Sequence, residues 1–214
     1  LINKEIRYIQ NNWFSVFPLG QETPGQHNWI DEQESKLGGD KFDVTYHINQ
    51  WRYRDTIEPG ENIPASFGCS HAFGYGVNLP YAKIIGFANC AVNGISNDAI
   101  VRMAYTYCEQ FKPNKICILW TMSNRREYIT DSGSIEKFKA DENQNLLGLQ
   151  NSNWDQYNLD KNKIFITNYC KANNIKLLEY DFTNNDKRAR DKLHPGPEWH
   201  INMSVSILED LNAQ

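Results

Sequence analysis

The stretch from Ser96 to Trp120 restricts the fold more than any other part of the chain. "SND" (96–98) offers cap residues, and Ile100, Met103, Ala104, Tyr107, Cys108 and Phe111 follow at steps of three and four. That spacing lines one face of an α-helix. "KPNK" (112–115) stops it, and "ICILW" (116–120) is short and apolar, as a buried strand is. The rhythm recurs on both sides. "IPASFG" (63–68) and "KIIGFA" (83–88) read as short strands, "DKNKIFITNYCKAN" (160–173) as helix and "IKLLEY" (175–180) as strand. Pro195-Gly196-Pro197 then opens a closing helix over "EWHINMSVSILEDL". Apolar strands separated by helices imply a parallel sheet covered on both faces, an α/β fold of three αβα layers, flavodoxin-like.

At 214 residues the chain has room for one domain with a full core. Residues 1–41, broken by Pro18, Gly20, Pro24, Gly25 and Gly38-Gly39, read as an N-terminal arm with a short helix at 3–12. The domain proper runs over 42–214, begins with a strand at "FDVTYHI" (42–48) and carries a polar insertion near 129–158.

A formal net charge of −4 argues against a nucleic-acid surface, which needs a basic stripe. The clusters at Arg125-Arg126 and Lys187-Arg188 have acidic neighbours and read as solvated faces. No apolar stretch approaches the length of a membrane span. The five cysteines (69, 90, 108, 117, 170) form no CxxC pair, so free thiols and a reducing, cytoplasmic compartment are expected. The sequence starts at Leu1 with no signal-like segment, which is consistent with trimming.

In sheets of this kind, ligands sit outside the carboxyl ends of the strands. The polar residues just past each predicted strand are Gly68-Cys69-Ser70, then Asn89 and Gly94, then Ser123-Asn124, and finally Asp191 and His194 of "RDKLHPG". All should fall on one rim. Together they outline a serine hydrolase: a hydroxyl nucleophile, a histidine to take its proton, an acid to orient the imidazole, and donors for an oxyanion. The glycine-rich "FGCSHAFGYGV" (67–77) then has a purpose, as a tight turn presenting Ser70.

That order resembles the SGNH family, also called GDSL hydrolases, which includes esterases, lipases, thioesterases and carbohydrate deacetylases. "GCSHAFGYGV" looks like its first block, which would make Ser70 the nucleophile and its amide an oxyanion donor. "NCAVNG" is similar to the second block, with Gly94 as backbone donor, and "TMSN" stands at the third, with Asn124 as side-chain donor. "DKLH" matches the fifth block, implying Asp191 as orienting acid and His194 as base. "YHINQWRYRD" also resembles a segment ahead of the first block in some members. The likeness covers roughly 42–210 and departs at Cys69 and Arg125, where the family has aspartates.

The resemblance implies ester hydrolysis through an acyl-enzyme, without metal or organic cofactor. Short acyl esters are favoured, such as acetyl groups on carbohydrates, because no long apolar lid segment is present. His71 and Tyr75 are candidates for the substrate-pocket wall, and Arg125 for an anionic substrate group. Tyr75, Trp120 and Trp154 offer themselves as a sugar-stacking platform, and His200 as a packing or surface residue. Other readings stay open: Cys69 as nucleophile, a zinc site drawn from His71, Asp191, His194 and His200, an acyltransferase with the same triad, or a non-catalytic binding module.

Overall fold

The computed structural model describes residues 20, 23–29, 44–129, 135–137, 152–182 and 194–213. The helix expected at 3–12 lies outside the described residues, as does most of the N-terminal arm. In chain order the elements are β1 (Gly25–Trp29), β2 (Val44–Ile48), β3 (Ala65–Gly68), α1 (Ser70–Phe73), α2 (Tyr81–Ile84) and β4 (Ala88–Asn89). Then follow α3 (Asn97–Phe111), β5 (Lys115–Trp120), β6 (Glu127–Ile129), β7 (Ile135–Lys137), α4 (Ser152–Ala172), β8 (Lys176–Asp181) and α5 (Pro197–Asn212).

β3, β4, β5 and β8 pair in parallel, in the order β4-β3-β5-β8. The chain enters this sheet at β3, steps out to β4, then crosses back to β5 and on to β8. The reversal opens a crevice at the carboxyl ends of β3 and β5, where Gly68 pairs with Leu119. Two antiparallel pairs, β1–β2 and β6–β7, stand apart from this sheet.

Strand alternation divides the core in two. Ala65, Phe67, Ile116, Ile118 and Trp120 pack with Ile100 and Ala104 of α3 and Leu159 and Ile166 of α4. Cys117, Leu119 and Leu178 point the other way, into Ala72, Tyr81, Trp199 and Ile207 of α1, α2 and α5. Helices therefore cover both faces, and the three αβα layers follow. All five cysteines are buried as free thiols.

α3 starts and stops where its sequence says. The Ser96 hydroxyl accepts from the Ala99 N–H at 3.0 Å, and Lys112 closes the helix in the left-handed conformation (φ 47°, ψ 51°). "KIIGFA" is corrected. Its first residues belong to α2, Gly86 reverses the chain at φ 73°, and only Ala88–Asn89 is strand. An apolar run this short has no period to separate helix from strand, and Pro80 stands as the extended cap from which α2 begins at Tyr81. α4 is longer than 160–173, beginning at Ser152 within the polar stretch. Among the described residues, no helix is long and apolar enough to cross a membrane.

Candidate active site

β3 ends where a side chain can no longer fit. A Cβ on Gly68 would lie 2.5 Å from the Ala72 Cβ and 2.9 Å from the Leu119 carbonyl oxygen. Cys69 is extended (φ −92°, ψ −154°), and the single turn of α1 begins at Ser70. Gly74 then turns left-handed at φ 78°, donating its N–H to the Ser70 carbonyl at 3.1 Å, and the Tyr75 N–H reaches the same oxygen at 3.1 Å. The glycines of this stretch thus let the chain close tightly around the serine.

The Ser70 Oγ lies 2.9 Å from Nε2 of His194. His194 immediately precedes Pro195, ahead of the Gly196 cap and Pro197 at the start of α5, so its backbone is held away from the helical region. The Tyr75 ring packs against His194 with centroids 4.9 Å apart, and the His71 ring lies 5.4 Å from it. His71 is itself stacked on Phe182 at 3.7 Å, and its Nδ1 sits 3.6 Å from the Cys69 sulfur. Cys69 Sγ is 4.0 Å from the Ser70 hydroxyl and only 1% exposed. Ser70, His71, Tyr75 and His194 form one group. Asp191 lies outside the described residues.

Residues from ahead of β3 hold this turn. The Arg54 guanidinium is buried between the Tyr46 ring (3.8 Å to its centroid) and the turn, where it donates to the carbonyls of Phe73 (3.0 Å), Gly74 and Val77. Burial pulls its pKa down to about 10, so it stays charged near neutrality. The Gly76 N–H donates to the Tyr46 hydroxyl at 2.7 Å. The Asn89 amide donates to the Ala72 and Phe73 carbonyls, both at 3.4 Å. Asp55 in turn fixes Asn89, accepting its backbone N–H at 2.7 Å as well as those of Thr56 and Ile57. Burial pushes the Asp55 carboxyl up despite these donors. Motif reading overlooked Arg54, Tyr46, Asp55 and Phe182 as parts of the site. The "YHINQWRYRD" stretch held the signal for the first three: a charged run is an unusual neighbour for a buried strand.

The other rim loops approach from neighbouring strands. Val92 donates its N–H to the Gly68 carbonyl at 3.0 Å, which brings the loop carrying Gly94 alongside the Ser70 turn. Gly94 is exposed, left-handed (φ 64°) and faces open space. After β5, the Asn97 side chain binds Thr121 and Met122, accepting from the Thr121 N–H at 3.0 Å and donating to the Met122 carbonyl at 3.0 Å. The Asn97 N–H meets the Arg125 carbonyl at 3.0 Å. Asn124 is exposed in this loop. Arg125 is half-buried, and its Nη1 has no hydrogen-bond partner among the described residues. No hydrogen bond among the described residues joins Gly94, Asn124 or Arg125 to Ser70 or His194.

One expectation is corrected. Trp120 cannot stack on a ligand: it is 1% exposed, and its indole N–H donates to Glu179 at 3.1 Å, because β5 is a central strand. Trp154 is exposed and stacks on Tyr157 in α4, next to Asp155, which pairs with Arg126 at 2.9 Å. His200 is a core residue, 0% exposed, accepting the Tyr81 N–H at Nδ1 (3.3 Å). Burial lowers its pKa to about 3. Among the described residues, no group of three or more His, Cys, Asp or Glu side chains is placed to hold a metal ion.

No family model matches the sequence, and no curated protein matches it. Among solved structures, one similar chain is a "putative acylhydrolase" from Bacteroides fragilis, 14% identical with a TM-score of 0.38, the match covering 75% of this chain and 90% of that one. At that level the likeness carries no argument about chemistry. The α/β assignment stands on the strand order and the two covered faces.

Proposed function

We propose that this protein is a serine-dependent hydrolase of the SGNH type, cleaving esters through an acyl-enzyme. One observation carries the reading: the Ser70 hydroxyl and the His194 Nε2, 124 positions apart in sequence, lie 2.9 Å from each other at the carboxyl edge of a parallel sheet. At that distance a neutral imidazole accepts the hydroxyl proton as the oxygen attacks a carbonyl carbon. The imidazolium then gives the proton to the leaving alcohol. Water, deprotonated by the same histidine, attacks the acyl-serine and frees the acid. Asp191 is assigned the orienting role from its place in the sequence, three residues before His194. The Ser70 and Gly94 amides and the Asn124 side chain are assigned to the oxyanion, each typically worth about 2.7–4 kcal/mol in such a role.

Short acyl esters suit the site best. His71 and Tyr75 set rings beside the base, with Phe182 stacked on His71, and rings packed this near the base favour a small acyl group. Acetylated carbohydrates remain the favoured class. Turnover on acetyl, butyryl and octanoyl esters and on acetylated sugars tests this, with intact-mass analysis of the quenched enzyme. The expected result is a preference for acetyl substrates and an added acetyl mass located on Ser70. Hydrolysis that persists in Ser70→Ala would sink the proposal.

A further inference from the structure

The Ser70 turn is held from outside by a residue that, among the described residues, makes no hydrogen bond to Ser70 or His194. Arg54 sits 4% exposed and its guanidinium donates to three carbonyls of this one turn, those of Phe73, Gly74 and Val77. These carbonyls bracket Tyr75. The Tyr46 hydroxyl ties down the Gly76 N–H between them, and the same Tyr46 ring supports the guanidinium face. Tyr75 is therefore clamped on both sides, and its own ring lies against the His194 imidazole. A planar fork with several donors in fixed directions can hold three carbonyls at once, which a lysine ammonium on a flexible stem cannot do in the same geometry.

We propose that Arg54 is a positioning residue for the base: through the 73–77 turn it sets Tyr75, and Tyr75 in turn fixes where the His194 ring stands relative to Ser70. The inference rests on the serine-hydrolase reading for its catalytic meaning, while the physical linkage from Arg54 to Tyr75 to His194 does not. The packing around Gly74 leaves no room for a side chain: a Cβ there would meet the Pro80 Cβ at 2.6 Å and the Arg54 Nη1 at 2.9 Å. Displacing a reacting group by about 1 Å can lower a rate roughly 100-fold, so loss of the clamp should register in kcat more than in KM.

The test is a double-mutant cycle read by the ring-proton resonances of His194. An aromatic ring beside the imidazole shifts those signals, so Tyr75→Leu marks the position of the unshielded state. Arg54→Lys is expected to move the His194 signals toward the Tyr75→Leu position, and to move them no further when Tyr75 is already leucine. It should also lower kcat on an acetyl ester by roughly 10-fold or more, with KM less affected. If Arg54→Lys leaves His194 unmoved in a folded protein, or if its effect simply adds to that of Tyr75→Leu, the proposal is wrong. Should Arg54→Lys not fold, Tyr46→Phe removes the hydroxyl that accepts from the Gly76 N–H; it must then shift His194 in the same direction, and an unmoved signal overturns the clamp. A wild type that hydrolyses no ester, yet shows the non-additive shift, would refute the hydrolase reading and leave the linkage standing.

Discussion

The turns at Gly74 and Gly94 are both left-handed, and both lie on the carboxyl rim of the sheet, yet they are built in opposite ways. Around Gly74 the backbone is enclosed by Pro80, the Arg54 guanidinium, the Tyr46 hydroxyl and the Asn89 amide. Around Gly94 there is open space. One turn carries the proposed nucleophile and the ring against the proposed base, and its backbone is hydrogen-bonded by side chains at Phe73, Gly74, Gly76 and Val77. The other carries the exposed Gly94, whose amide is the one proposed for the oxyanion. A hydrolase site needs both: fixed reacting groups and an open side.

The largest break in this contrast should come from Arg54→Met, which strips the Val77 carbonyl of its guanidinium donor and leaves the Phe73 and Gly74 carbonyls with only the Asn89 amide and the Val77 N–H. Unfolding in urea should show a loss of about 3 kcal/mol or more. Next is the matched pair Gly74→Ala and Gly94→Ala. Both carry the left-handed penalty of about 1–2 kcal/mol, but only the first adds the clashes with Pro80 and Arg54, so Gly74→Ala should be the more destabilised by a further 1–3 kcal/mol or so. Equal losses would show that the enclosure around Gly74 is not a constraint.

The enclosed side should also reveal itself in acid. His200 supports it by accepting the N–H of Tyr81, the residue after Pro80. Its pKa is depressed to about 3 in the folded protein, so the unfolded chain binds the proton first as pH falls below the ordinary value of 6.5. Stability from this residue is fully present above that value and drains away between about 6.5 and 3. Between pH 7 and 5 the loss should be about 2 kcal/mol, and His200→Gln should flatten that part of the profile. The smallest effect is expected on the open side, where Asn97→Ala removes the bonds to Thr121 and Met122. About 1–2 kcal/mol should be lost in the same urea measurement, with Arg54-dependent properties of the Ser70 turn unchanged.

What was legible in the sequence follows the same division. α3 could be read because its periodicity is regular and Ser96 and Lys112-Pro113 punctuate it clearly, and β5 and β8 because short apolar runs between helical and turn segments read as buried strands. The meeting of Ser70 and His194 was an expectation of strand order: residues just past parallel strands must share a rim. α2 could not be read, because "KIIGFA" is too short for its period to choose between helix and strand. Trp120 looked like a platform only because its burial on a central strand depends on α3 and α4 covering that face. Arg54 escaped because a bracing role depends on contacts with a turn some 20 residues away, and no local pattern records such contacts.

The central claim is that the Ser70 hydroxyl is activated by His194. A fluorophosphonate probe, with the adduct mapped by mass spectrometry, measures this directly in wild type and in His194→Ala. The account predicts one adduct per chain, on Ser70, that vanishes with the histidine while the protein remains folded. An adduct on Ser70 that survives in His194→Ala, or a folded wild type that takes no label, would contradict it.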